Sequence, residues 1–134
     1  MESISLFQIL DIVIDISHFA LVLFILFGWL YPSIRYAHLI VATITGISWL
    51  LYTQVNGIGN CILTDLHYQI LGKLGKTNLP DTYAQYTFTR LTGLKIQNDV
   101  AMIITRSLWL LSFITSAVLC FRQYRYNKTI GVRK

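Results

Sequence analysis

The sequence predicts an all-α membrane protein: a polytopic bundle of three transmembrane helices, with one or two short amphipathic helices in the extracytoplasmic loop between the second and the third. Three observations predict it. Apolar residues make up 54% of the 134-residue chain and charged residues only 13%, where a soluble domain carries roughly a quarter. The shortage of charge is concentrated in three stretches, about 6–31, 34–55 and 99–121, each close to the ~20 residues an α-helix needs to cross the hydrocarbon core. Between the last two lies a polar stretch, 56–98, with helix signals of its own. At this length a single integral domain, 1–134, is expected.

The first segment is apolar in its second half, apart from Gly28, and carries Asp11, Asp15, Ser17 and His18 in its first half. A carboxylate costs up to about 3 kcal/mol at the bilayer centre, and each Leu, Ile, Phe or Val returns about 0.3–0.6, so insertion still wins. Residues 1–7 contain Glu2 and neither Lys nor Arg. They lack the positive start of a secretory signal, and the segment is expected to stay as an anchor. Tyr31-Pro32-Ser33 makes a tight turn into the second segment, which holds His38, the small residues Thr43, Thr45, Gly46 and Ser48, and the aromatics Trp49 and Tyr52. Small residues let a neighbouring backbone come close, so this side is a candidate seam for another chain.

The run 56–60, Asn-Gly-Ile-Gly-Asn, breaks the second helix. In the loop, Leu63, Leu66, Ile70 and Leu74 repeat at helical spacing, with Thr64 as N-cap and Gly75 as stop. A second short helix is expected from Asp81 to Thr92, after Pro80 and before Gly93. Its Tyr83, Tyr86 and Phe88 suit the headgroup region or the top of the bundle. The third segment contains Arg106 and leads into a basic tail, 122–134.

The formal charge of +5 sits mainly in that tail, in Arg122, Arg125, Lys128, Arg133 and Lys134. A juxtamembrane basic tail sets topology and attracts anionic lipid. No basic, aromatic-interleaved polar surface is present, which excludes nucleic acid as a partner. Gathering the tail and Arg35 on one side puts the C-terminus in the cytoplasm and the loop 56–98 outside. The two cysteines, Cys61 and Cys120, then lie near opposite faces, too far apart to be joined.

Gln8, Asp11, Asp15 and His18 fall at i, i+3, i+7 and i+10, on one face of a helix. Asp15 and Arg106 come at similar depths in segments running the same way, so they are candidates for an ion pair, with Asp11 and Asp99 extending it. The network Asp11, Asp15, His18 and Arg106 has two readings: it pins helix to helix, or it forms an ion or proton path or polar ligand pocket. His38 belongs near the opposite end from this network and does not share a level with His18, as paired haem ligands would. Cys61, Thr64, Asp65 and His67 form the loop motif with metal-like or thiol chemistry. Asp65 and His67 are only two residues apart, which turns them in different directions if a helix starts there. Whether a metal binds is left open, and no cofactor is predicted. Walker, nucleophile-elbow, HExxH and dinucleotide motifs are absent from the sequence.

Several of these residues also carry a family likeness. His18-Phe19-Ala20-Leu21-Val22-Leu23-Phe24 followed by Gly28, then Arg35, His38 and Trp49, and above all Cys61-Ile62-Leu63-Thr64-Asp65-Leu66, resemble the bacterial family catalogued as domain of unknown function 2784. The likeness covers roughly 6–121. Ile62 stands where the family's Cys-Pro-Leu-Thr run has proline, and His67 follows the acidic position. The resemblance implies a small bacterial inner-membrane protein with no established activity and supplies no catalytic residue. It directs attention to His18, His38, Cys61 and Thr64.

The function expected from the sequence is a non-enzymatic membrane component, an accessory subunit or a self-associating protein. Its expected partners are the lipid bilayer and either a second copy or another membrane subunit. The alternatives are a small-ligand, ion or proton binding or transport protein using the Asp/His/Arg network, and a metal- or thiol-dependent enzyme at Cys61, Asp65 and His67.

Overall fold

The computed structural model describes residues 5–56 and 61–131. Five α-helices follow one another: α1 (Leu6–Phe27), α2 (Arg35–Asn56), α3 (Ile62–Lys73), α4 (Tyr83–Thr92) and α5 (Asn98–Gly131), with a 3₁₀ turn at Gly28–Leu30 closing α1. No strand occurs among the described residues. The run 57–60, where the sequence predicts a break, lies outside the described residues, as do 1–4 and 132–134.

Local chemistry explains most of the boundaries. Ser5 caps α1 through a reciprocal pair: its hydroxyl accepts from the Gln8 amide, and the Gln8 side-chain oxygen accepts from the Ser5 amide. Gln8 is therefore a capping residue and does not belong to the polar stripe of α1. Helix α3 starts after Cys61 as N-cap, not at Thr64, whose side chain turns inward. It ends where Gly75 takes a positive φ and the Lys76 amide donates back to the Leu71 carbonyl. Helix α4 starts at Tyr83, two residues after the predicted start at Asp81, with Thr82 as N-cap, its hydroxyl accepting from the Gln85 amide. Gly93 in the left-handed region ends it as predicted. Helix α5 runs through Gly131, ten residues past the expected end of the third segment, so the described part of the basic tail is helical. At 1.5 Å per residue, its 34 residues make a rod about 50 Å long.

The packing has a lower and an upper half. In the lower half α2 lies against α5, and both meet the end of α1. Trp109 of α5 fits where Gly46 of α2 has no side chain: a Cβ there would lie 2.5 Å from the indole ring. The Trp109 indole N–H also donates to the Ala42 carbonyl at 3.0 Å. This occupies the glycine of the small-residue side on which the sequence suggests a seam for another chain. In the upper half α3 packs on α1, and α4 packs on α5. Helix α3 runs antiparallel to α1. Cys61 meets His18, His67 meets Asp11, and the Lys73 ammonium lies 5.0 Å over the Phe7 ring. The short helix thus lies beside the first half of α1 instead of capping the bundle end.

Polar and apolar residues are distributed inside out. His18, His38, Thr64, His67, Thr82, Ser112 and Ser116 are buried. Ile12, Ile16, Ile40, Ile44, Leu50, Leu111 and Ile114 are at least half exposed. Among the described residues two helical stretches, Leu6–Leu30 and Asn98–Gly131, are long and apolar enough to cross a membrane. The sequence reading expects three. Helix α2 has the length, at 22 residues, but is less apolar, because it begins with Arg35 and His38 and includes Thr43, Thr45 and Ser48.

Candidate functional site

The polar stripe of α1 and the loop motif, two separate features in the sequence, form one site. Because α3 and α4 fold back beside α1, each polar residue of the stripe finds its partner on one of them. The Asp11 carboxylate lies 2.7 Å from His67 Nε2, and its other oxygen lies 3.6 Å from Lys76 Nζ. Asp15 accepts from Arg90 Nη1 at 2.6 Å and from the Tyr83 hydroxyl at 3.0 Å. His18 stacks on Tyr83 with ring centroids 3.6 Å apart, and its Nε2 lies 3.9 Å from Cys61 Sγ. Cys61 in turn lies 3.3 Å from the Thr64 hydroxyl.

Arg106 does not join Asp15, contrary to the pairing expected from depth alone. Arg90, in the last turn of α4, reaches the carboxylate instead, because α4 carries both Tyr83 and Arg90 to α1. The Asp15–Arg90 pair is partly open to solvent, and such pairs contribute about 0–1 kcal/mol. The loop motif also divides. Asp65 faces α2, accepting from the Tyr52 hydroxyl at 3.0 Å and from Gln69 at 2.9 Å, while His67 faces α1. As the spacing anticipates, the two point apart. Among the described residues no three His, Cys, Asp or Glu side chains converge as a metal site.

Tyrosines surround the buried His67: Tyr68, Tyr83 and Tyr86 place their rings 5.7–6.3 Å from it. Of the two places the sequence reading offers for the aromatics of α4, the headgroup region or the top of the bundle, Tyr83 takes the inner one and is buried at the centre of the site. Burial, reinforced by the Asp15 carboxylate, pushes its phenol up to about 12. Burial also raises Tyr68, with Tyr86 adding to the effect. Both hydroxyls therefore stay protonated at neutral pH, and Tyr83 remains a donor to Asp15.

Beside this cluster opens a cavity of about 320 Å³. Its walls are apolar: Phe19, Val22 and Leu26 from α1, Trp49 from α2, Met102 and Trp109 from α5. Its polar lining comprises His18, Cys61, Thr64 and Tyr83 with the threonines of α4 and α5 and Arg106. Among the described residues no Asp or Glu lines it. The sequence reading offers a polar ligand pocket among Asp11, Asp15, His18 and Arg106 as one alternative; of these four, His18 and Arg106 line the cavity, and its apolar walls, drawn from separate helices, had no signal in the sequence.

His38 lies elsewhere, in the lower half. Its Nε2 donates to the Ile25 carbonyl at 2.9 Å, and its Nδ1 lies 2.9 Å from the Ser116 hydroxyl. Ser112 also donates to the Ile25 carbonyl and lies 3.2 Å from His38 Nε2. Close by, the indole of Trp29 donates to the Leu26 carbonyl, and Arg35 Nε donates to the Trp29 carbonyl. Side chains thus satisfy carbonyls at the C-terminal end of α1, which helix ends leave without helical partners. Gly28 allows the ring this close, since a Cβ there would lie 2.8 Å from His38 Cδ2.

These features define an all-helical protein in which two helices are apolar and long enough to cross a membrane, with a polar cluster facing an internal cavity. The family described as Protein of Unknown function (DUF2784) matches residues 8–121, and the chain belongs to that family. No curated protein matches the chain, and no solved structure does.

Proposed function

We propose that this is a small multi-pass membrane protein that binds a small amphipathic molecule in the cavity between α1, α4 and α5. The carrying observation is the cavity itself: apolar walls with the polar groups of His18, Cys61, Thr64 and Tyr83 converging at one side. Ligand pockets have this composition, and about 320 Å³ lies at the small end of their size range. The exposed apolar faces of α1 and α5 support a lipid surrounding, and α2 fits as a third span. Its polar His38 faces inward while Ile40, Ile44, Ile47 and Leu50 face out. On the charge argument, the C-terminus faces the cytoplasm and the cavity lies toward the opposite face, and the bacterial inner membrane is the host membrane that the family resemblance implies.

An accessory or self-associating role has less behind it, because Trp109 of the same chain already fills the notch at Gly46. The test is native mass spectrometry of protein released from its own membrane. Wild type is expected to retain a small molecule that Ala84→Trp loses, Ala84 being a half-buried cavity residue whose enlargement fills the space. The helical circular dichroism of the variant should be unchanged. Wild type free of any retained species, with an identical spectrum for the folded variant, would remove the reading.

A further inference from the structure

We infer that the occupant of this cavity is a single-chain amphiphile with an anionic oxygen head, a long-chain carboxylate, and that Arg106 receives the head. The inference rests on the ligand-binding reading above and names its chemistry. Arg106 comes from α5, eight residues after its start at Asn98, and lines the same cavity as His18. Its side chain is exposed and makes no hydrogen bond or ion pair among the described residues. Three other cations of this protein are engaged: Arg90 by Asp15, Lys76 by Asp11, and Arg35 by Gln123 and the Trp29 carbonyl.

The two carboxylates of the α1 cluster are already committed. Asp15 is held by Arg90 and Tyr83, and Asp11 by His67 and Lys76. The cavity lining therefore combines one formal positive charge with apolar walls and no acidic side chain. A cation among apolar residues is costly without a counter-charge. A guanidinium offers five donors in a planar fork that matches a carboxylate. His18 adds to this bias: it is 5% exposed, lines the cavity, and its Nδ1 has no partner among the described residues. A space of about 320 Å³ admits part of one acyl chain, and the two chains of a bilayer phospholipid exceed it.

Trp49 and Trp109 line the cavity and supply the probe. Protein purified in a neutral maltoside detergent is titrated with dibrominated stearic acid and, separately, with the matching dibrominated stearyl alcohol, and tryptophan quenching is followed. The carboxylate is expected to half-saturate at a concentration at least ~10-fold lower than the alcohol, the scale of a charge-assisted hydrogen bond. Arg106→Gln should abolish that preference and leave the alcohol curve unchanged, while Arg106→Lys keeps the charge and part of the preference. Equal curves in wild type, or a preference that survives Arg106→Gln, would overturn the inference and leave the cavity reading standing. Displacement of the carboxylate by equimolar phosphatidylglycerol would overturn it too, assigning Arg106 to bulk lipid headgroups. Quenching by neither compound would remove the cavity reading itself. Should Arg106→Gln misfold, the wild-type comparison and the Arg106→Lys curve decide.

Discussion

Two buried histidines occupy opposite halves of the molecule and are treated very differently. His38 is 0% exposed, has a partner at each ring nitrogen and sits among Ser112, Ser116 and the Ile25 carbonyl. His18 is nearly as buried but stacks on Tyr83, faces a cavity and leaves Nδ1 without a partner among the described residues. A satisfied polar group in a packed interior holds helices together. An unsatisfied one beside open space is available to something else. The lower half therefore carries the fold, and the upper half carries the candidate site.

The comparison breaks if the two histidines matter equally to stability. His38→Leu removes contacts that join α1, α2 and α5 and is expected to cost about 2–4 kcal/mol, read as a large fall in melting temperature in detergent. His18→Leu should cost less, about 1 kcal/mol, because it forfeits only ring stacking and a long contact to Cys61. Equal losses would show that the upper cluster is as structural as the lower one.

Smaller in effect is Gly46→Ala. Its Cβ would overlap Trp109, which also donates to Ala42, so the indole cannot withdraw freely. Overpacking of this kind costs about 1–3 kcal/mol, and thermal denaturation of the variant should show it. The double change Gly46→Ala with Trp109→Phe should lose less than the sum of the singles. Simple additivity would mean the notch is not what holds α2 to α5.

In the upper half, a double-mutant cycle on Asp15→Asn and Arg90→Gln should give a coupling of about 0.3–1 kcal/mol, the scale of a solvent-screened pair. The same cycle on Asp15→Asn and Arg106→Gln should give none. Coupling to Arg106 and not to Arg90 would restore the pairing that depth alone suggests.

The smallest effect is spectroscopic. Tyr68 and Tyr83 should ionise late in an alkaline ultraviolet titration, Tyr83 at about 12. A phenol whose folded pKa is raised above the usual ~10 stabilises the fold fully below that value. That contribution is lost as pH rises toward about 12. Tyr83→Phe should delete one late-titrating group, and no change in the late phase would place Tyr83 in water.

The sequence by itself determined the helices and most of their limits. Apolar run length marked α1, α2 and α5, the Leu63–Leu74 spacing marked α3, and Pro80 and Gly93 bracketed α4. It also placed Asp11, Asp15 and His18 on one face, and that face is the one that α3 and α4 cover. These are properties of single segments, set by helical periodicity and by the transfer energy of each side chain. Only the tertiary structure decided which polar residue meets which. The path of the loop carries Cys61 back to His18, gives Asp15 to Arg90 instead of Arg106, and leaves a cavity lined from all five helices. Those pairings join residues far apart in the chain, such as Asp15 and Arg90, and no local pattern encodes the direction in which a loop returns.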